Sequence, residues 1–130
     1  MSISKNQLKL IKSLNQKKYR QKYQLFIAEG IKVVNELLKS SIEVESLFVV
    51  EGFDVDLPQE QLVVVSESDL KKISNLKTPN KVLGLFKIPE TEKTENKGLI
   101  IALDAINDPG NLGTIIRLCD WFGITQLICS

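Results

Sequence analysis

Residues 102–117 are the most specific stretch of this sequence for chemistry, because they combine Asp104, Asn107, Asp108, Asn111 and Arg117 with two glycines. The pattern predicts a strand, a turn rich in Asn, Asp, Pro and Gly, and then a helix. Gly110 and Gly113 allow close backbone approach at the helix N-terminus, where unpaired N–H groups can hold an anion. The stretch has no GxGxxG, no Walker-type Gly-Lys-Ser/Thr ending and no calcium-loop spacing. From these residues alone, a structural turn is the favoured interpretation.

The composition narrows the possible chemistry further. The 130 residues contain no His, so a Ser-His-Asp triad, a Cys-His pair and a His-ligated metal site are excluded. Cys119 and Cys129 have no zinc-ligand spacing and indicate a reduced protein, with Cys119 expected as a small buried residue. We therefore predict no metal site. No apolar run approaches a membrane span and no secretory signal is evident, so we expect a cytoplasmic protein.

The charge is unevenly distributed along the chain. Residues 1–24 carry seven basic side chains and no acid, whereas the remaining 106 residues carry a net charge of −6. Such a segment, with tyrosines set among its lysines, can neutralise phosphates and stack on bases. The other interpretation is a solvated, partly helical arm, because its apolar residues also allow an amphipathic helix. The candidate RNA-contacting residues are Lys17, Lys18, Arg20 and Lys22.

Residues 25–88 alternate helical and strand patterns. Helical spacing predicts a helix that ends near Ser40, and a second helix follows Ser66 through Leu76. Short apolar runs rich in β-branched residues predict strands at 44–50, 62–65 and 82–88. This alternation predicts a small α/β sandwich. Lys71, Lys72, Lys77 and Lys81 form either a second phosphate-contacting patch or a solvated face.

Residues 89–97 have no apolar residue after the proline and are predicted to be an exposed linker. Residues 98–130 then predict one βαβ unit, with strands at 98–105 and from 125 and a helix at about 112–122. A two-stranded parallel sheet with one helix cannot cover both of its faces. We therefore expect the sequence to stop inside a domain.

Two further features predict structural roles. Glu29 and Gly30 are expected to favour a strand-to-helix turn through the helix dipole and backbone freedom. Trp121 and Phe122 are expected in the core or at a subunit interface, rather than as stacking platforms for bases.

The segment DPGNLGTIIR at 108–117, followed by Phe122-Gly123, resembles the first motif of the SpoU/TrmH branch of the SPOUT RNA methyltransferases. Upstream, KKYR at 17–20, FIAEG at 26–30 and Thr78-Pro79 resemble the substrate-binding domain of the ribosomal RNA members. The resemblance extends over nearly the whole chain. It implies a basic arm at 1–24, a ribosomal-protein-like α/β substrate-binding domain at 25–88, and the start of a SPOUT (α/β knot) domain at 98–130.

The resemblance also implies an activity. Members of this family methylate ribose 2′-hydroxyls with S-adenosylmethionine, so we expect an RNA substrate, rRNA rather than tRNA, and a homodimer. Asn111 matches the asparagine that shapes the active-site loop, and Arg117 matches the arginine assigned to the reacting ribose. A free guanidinium loses its proton only in strongly basic solution, so phosphate binding and stabilisation of alkoxide charge are easier chemistry for Arg117 than base catalysis. Without the family, a surface arginine paired with Asp120 or Asp108 is the simpler interpretation.

The family's cofactor-binding and knot motifs have no counterpart in these 130 residues. We therefore expect this polypeptide alone to bind no S-adenosylmethionine and to transfer no methyl group. The alternatives are a non-catalytic RNA-binding module and a Rossmann-like nucleotide binder, the latter disfavoured because GxGxxG is missing.

Overall fold

The computed structural model describes residues 3–92 and 95–130, which fall into two units, Met1–Glu90 and Thr91–Ser130. The first unit contains α1 (Lys5–Ser13), α2 (Lys17–Tyr23), β1 (Leu25–Glu29), α3 (Ile31–Lys39), β2 (Val44–Val50), a 3-10 turn (Gln59–Gln61), β3 (Leu62–Val65), α4 (Glu67–Ile73) and β4 (Val82–Lys87). The second contains β5 (Ile100–Leu103), α5 (Pro109–Trp121) and β6 (Gln126–Cys129). The mixed α/β class is confirmed.

The first unit is built on a four-stranded sheet in the order β1-β4-β2-β3. β4 pairs antiparallel with β1 and β2, and β2 pairs parallel with β3. Side chains alternate between the two faces: Phe48 joins a cluster with α1 and α4, while its neighbours Leu47 and Val49 join a cluster with α3. Helices therefore cover both faces of the sheet.

The N-terminal basic segment is part of this unit. Ser4 and Gln7 form a reciprocal capping box that starts α1, with bonds of 3.0 and 3.1 Å. Ile11 is 0% exposed and Leu14 is 2% exposed, and both pack on the α1–α4 face of the sheet. The expected arm at 1–24 is helical and amphipathic in α1, as its apolar residues allowed, but it is not solvated, because its apolar face is buried on the sheet.

Some element boundaries differ from the expected ones. β2 and β3 begin and end as predicted. α4 ends at Ile73 rather than near Leu76, because Ser74 turns into an extended conformation. α5 begins at Pro109, three residues before its expected start, because the Asp108 side chain caps it. The predicted linker at 89–97 includes Lys93 and Thr94, which lie outside the described residues.

The second unit is the predicted βαβ unit. β5 and β6 pair in parallel, from Ile100 opposite Gln126 to Leu103 opposite Cys129. Cys119 on α5 is buried, as expected. Core burial of Trp121 and Phe122 is wrong in this chain: the two are 83% and 72% exposed. Four other large apolar side chains of this unit are also exposed, namely Leu99, Ile116, Leu118 and Ile128.

Candidate functional site

The motif at 108–117 begins at the N-cap of α5 and continues through the first nine residues of that helix. Asp108 caps α5, its Oδ1 accepting a hydrogen bond of 2.9 Å from the Gly110 N–H. One turn on, the Thr114 hydroxyl donates to the Gly110 carbonyl at 3.0 Å. The helix N-terminus is therefore already occupied by a carboxylate of its own chain. An anionic ligand would have to compete with that cap.

Asn111 and Arg117 both lie on α5 and both are exposed. They are six residues apart, which places them roughly 9 Å apart along the helix axis and about 120° apart around it. The helix therefore does not bring them together. Among the ion pairs of residues 3–92 and 95–130, none involves Arg117, so the pairing with Asp120 or Asp108 is not formed. The guanidinium is exposed and available to a ligand.

A polar contact that the sequence analysis missed joins the carboxyl ends of β5 and β6. The Ser130 hydroxyl donates to Asp104 Oδ1 at 2.8 Å and accepts from the Ala105 N–H at 2.9 Å. Ala105 has a φ of 52°, so the backbone turns sharply here. The sequence could have indicated this contact, because Asp104 and Ser130 each follow a predicted parallel strand, and the carboxyl ends of such strands meet at one edge of the sheet.

α2 presents a positively charged surface with aromatic rings. Lys18 Nζ lies 4.9 Å from the centre of the Tyr19 ring, and Lys22 Nζ lies 5.4 Å from the centre of the Tyr23 ring. The two rings are stacked, with centres 6.3 Å apart and planes 13° apart. Lys17, Lys18 and Lys22 are exposed. The helix therefore combines cations and π-faces on one accessible surface.

Arg20, the fourth predicted RNA-contacting residue, is held differently. It is half-buried, and its Nη1 donates to the Leu14 carbonyl at 3.0 Å, at the C-terminus of α1. This bond satisfies a carbonyl that the helix leaves unpaired. Arg20 therefore fixes the corner between α1 and α2.

Glu29 is a structural residue, as expected, but through contacts other than a helix dipole. Its Oε2 accepts from the Ser74 hydroxyl at 2.7 Å and its Oε1 from the Asn75 N–H at 2.8 Å. Asn75 Nδ2 in turn donates to Asn15 Oδ1 at 2.7 Å. The network ties the end of β1 to the segment after α4 and to the α1–α2 turn. Asn15 and Asn75 gave no signal in the sequence, since single asparagines in turns are common.

This network borders a cleft of about 460 Å³ in the first unit. Its lining residues are Leu14, Asn15, Arg20, Phe26, Ile27, Glu29, Asn75 and Leu76. Apolar side chains of β1 and the segment after α4 form its walls, and amide and charged groups form its rim. We refer to it below as the amide-rimmed cleft.

The lysines of the second basic group have different surroundings. Lys72 pairs with Asp69 at 3.0 Å, and its hydrogen bond lowers the pKa of that carboxyl. Lys71 and Lys81 line a different cleft of about 520 Å³, together with Asn80. Gly30, with a φ of 100°, lies near Asn80, whose Nδ2 is 3.6 Å from where a Cβ on the glycine would lie. The backbone freedom expected of Gly30 is therefore required.

Neither a metal-binding cluster nor a membrane-spanning helix is present in the described ranges. Residues 3–92 and 95–130 contain no group of three or more His, Cys, Asp or Glu side chains placed to hold a metal ion. None of the helices in these ranges is both long enough and apolar enough to span a bilayer.

Comparison with known proteins places this geometry in a family. Residues 5–84 match the MRM3-like substrate binding domain. Over 129 residues the chain is 33% identical to the 23S rRNA (guanosine(2553)-2′-O)-methyltransferase RlmP of Bacillus subtilis, covering 96% of this chain and 52% of RlmP. It is 27% identical to the human mitochondrial rRNA methyltransferase 3, covering 86% of this chain and 30% of that protein. The chain thus spans about half or less of the curated relatives it matches.

Solved structures give the same result. A Porphyromonas gingivalis protein assigned to the TrmH family of RNA methyltransferases matches with a TM-score of 0.82 and 36% identity, over 99% of this chain and 53% of that one. The AdoMet-bound rRNA methyltransferase of Sinorhizobium meliloti matches with a TM-score of 0.71 and 28% identity, over 99% and 52%. The resemblance drawn from the sequence motifs is confirmed. The chain belongs to the SpoU/TrmH family of RNA methyltransferases, and residues 5–84 are its MRM3-like substrate-binding domain.

Proposed function

We propose that this chain provides the RNA-recognition unit and the first catalytic motif of an S-adenosylmethionine-dependent rRNA 2′-O-ribose methyltransferase. The observation that carries the proposal is the basic, aromatic surface of α2 on a folded substrate-binding domain, in the same chain as the DPGNLGTIIR motif. Exposed lysines beside stacked tyrosines suit a single-stranded or looped RNA, because phosphates and base faces are both accessible there. The similarity to RlmP, a 23S rRNA methyltransferase, supports an rRNA rather than a tRNA.

Within this function the proposed catalytic residues have separate tasks. We assign the Arg117 side chain to binding the phosphate beside the target ribose and to stabilising negative charge on the 2′-oxygen, which a guanidinium does through charged hydrogen bonds. Asn111 is assigned to shaping the loop at the start of α5. Lys17, Lys18 and Lys22 bind phosphates, and Arg20 supports them by holding the α1–α2 corner.

S-adenosylmethionine would supply the methyl group, but the described residues do not fit it. At the carboxyl edge of the β5–β6 sheet, Asp104 and Ser130 satisfy each other. Within the described ranges, no buried side-chain nitrogen or oxygen lacks a hydrogen-bond partner that a cofactor could provide. We infer that these residues alone form no cofactor site and that the 130-residue polypeptide transfers no methyl group.

The exposed apolar side chains of the second unit support a further part of the proposal. Exposed apolar side chains such as Trp121, Phe122 and Ile128 favour burial against another protein surface. We assign that surface to the remainder of a SPOUT domain and to a homodimer in the complete enzyme. We also propose that the complete enzyme is cytoplasmic. The second candidate function is a non-catalytic RNA-binding module, favoured by the complete folding of the first unit around its own core.

The RNA-recognition role is tested by salt-dependent binding of the 130-residue chain to a structured rRNA fragment and to tRNA. A triple variant of α2, Lys17→Ala, Lys18→Ala and Lys22→Ala, removes three exposed charges. A matched control removes three exposed charges from α1, at Lys5, Lys9 and Lys12. We expect the slope of log affinity against log salt to fall by roughly 2 to 3 in the α2 variant.

The control is expected to change the same slope by less than about 1, since α1 is not assigned to the RNA surface. Equal losses in the two variants would show that only total charge matters and would contradict the assignment to α2. Tighter binding to tRNA than to rRNA would contradict the proposed substrate.

A further inference from the structure

The amide-rimmed cleft brings the consecutive elements α2 and β1 together with a segment that is about 50 residues further along the chain. Arg20 comes from α2, Phe26 and Glu29 from β1, and Asn75 from the segment after α4. We propose that this cleft binds one unpaired nucleobase of the RNA. The inference rests on the proposed function, since it takes RNA to be the ligand, and it adds how the first unit recognises that RNA.

The size and walls of the cleft suit a flat, apolar-faced group. Its volume of about 460 Å³ lies within the range of small-molecule sites. Ile27 and Leu76 provide apolar surface, and Leu76 is 45% exposed even though it is a leucine in a folded unit. Phe26 also borders the cleft, but its ring stacks on Phe86 in the cluster on the α3 face of the sheet. The face of a base would cover this surface from water.

The rim carries hydrogen-bonding groups that match a base edge. The bond between Asn75 Nδ2 and Asn15 Oδ1 uses one group of each amide. It leaves the Asn15 amide nitrogen as a donor and the Asn75 amide oxygen as an acceptor. A base edge in turn presents both donors and acceptors, which an asparagine amide can bind. The two amides therefore offer one donor and one acceptor to a base edge.

Both amides are held in place by the rest of the network. Glu29 binds the Asn75 backbone N–H and the preceding serine hydroxyl, at 2.8 and 2.7 Å. Arg20 binds the Leu14 carbonyl next to Asn15 at 3.0 Å. A site whose polar groups are already fixed loses less entropy on binding. The cleft is therefore preorganised rather than assembled by its ligand.

The charge around the cleft indicates where the RNA backbone runs. Arg20 lies on α2 and also lines the cleft, while Lys17, Lys18 and Lys22 of the same helix are exposed. A base inserted beside Arg20 would place its own phosphates near these lysines. A paired base in an A-form helix cannot reach such a cleft, so the ligand must be unpaired.

The test compares three RNA hairpins that differ at one position: a single bulged nucleotide, the same bulge without its base, and a fully paired stem. The four bases are used in turn at the bulge. We expect the 130-residue chain to bind at least one base-containing bulge roughly 5- to 100-fold more tightly than the abasic bulge. We expect the abasic and paired hairpins to bind alike, through the backbone.

Two variants locate the effect. Asn15→Ala and Leu76→Ala each change an exposed or half-exposed side chain, so the fold is retained, and each should abolish the preference for the base-containing bulge. Lys22→Ala is the matched control, because it should weaken all three hairpins equally. Equal affinity for all three hairpins would overturn the cleft proposal while leaving RNA binding intact. Failure to bind any RNA would overturn the proposed function as well.

Discussion

Truncation of Ile11 tests whether the basic N-terminal segment is a folded part of the substrate-binding unit. Ile11 is 0% exposed and packs among residues of the sheet and α4. Ile11→Ala removes three carbons, worth roughly 2.4 kcal/mol at about 0.8 kcal/mol per buried methylene. The cavity left behind adds to this loss, and Ile→Ala changes in cores cost about 2–5 kcal/mol in total. We expect a loss of about 3 kcal/mol in the free energy of unfolding.

The assay is urea unfolding of the complete chain, followed by amide NMR signals of the first unit so that the second unit does not contribute. With a urea m-value of roughly 1–1.5 kcal/mol/M, the midpoint should fall by about 2–3 M. Lys9→Ala, an exposed position of the same helix, is the control and should shift stability by no more than about 0.5 kcal/mol. If Ile11→Ala shifts the midpoint no more than Lys9→Ala does, α1 is a solvated arm and the described packing is wrong.

Three further predictions follow from single contacts. Gly84→Ala should lower stability by about 1–3 kcal/mol or more in a thermal melt, because a Cβ there overlaps side chains on the buried face of the sheet; an unchanged melting temperature would contradict this. The Lys72 hydrogen bond lowers the pKa of Asp69 in the folded state, so its stabilisation is present above about pH 4 and is lost as pH falls; Asp69→Asn should therefore lose stability less steeply than wild type below pH 4. Ellman's reagent should modify the exposed Cys129 rapidly and the buried Cys119 only on unfolding; two equally fast thiols would refute the buried position.

The elements that the sequence predicted well are those whose local pattern and tertiary environment agree. β2 and β3 are short runs rich in β-branched residues, and they are strands with the expected ends. The turn before α5 combines an Asp cap with Pro at the first helical position, which defines a helix start locally. The motif that indicated the family begins at this cap and continues into the helix.

The features that the sequence did not predict depend on contacts between distant residues. The Glu29 network joins residues 45, 46 and 60 positions apart, and no periodicity records such pairs. The burial of α1 against the sheet was hard to predict, because lysines dominate its composition and only a narrow apolar stripe is buried. Trp121 was expected in the core or at a subunit interface from its hydrophobic spacing, and it is 83% exposed, because spacing along one helix does not record which surface covers it.

The most direct test of the central claim is methyl transfer by the protein expressed from the complete reading frame that encodes these residues. It is incubated with rRNA and S-adenosylmethionine labelled in the methyl group, and the RNA is then digested to nucleosides. We predict label on a ribose 2′-oxygen, a large loss of kcat in Arg117→Ala, and no transfer by the 130-residue chain alone. Label on a base, or wild-type turnover by Arg117→Ala, would contradict the account.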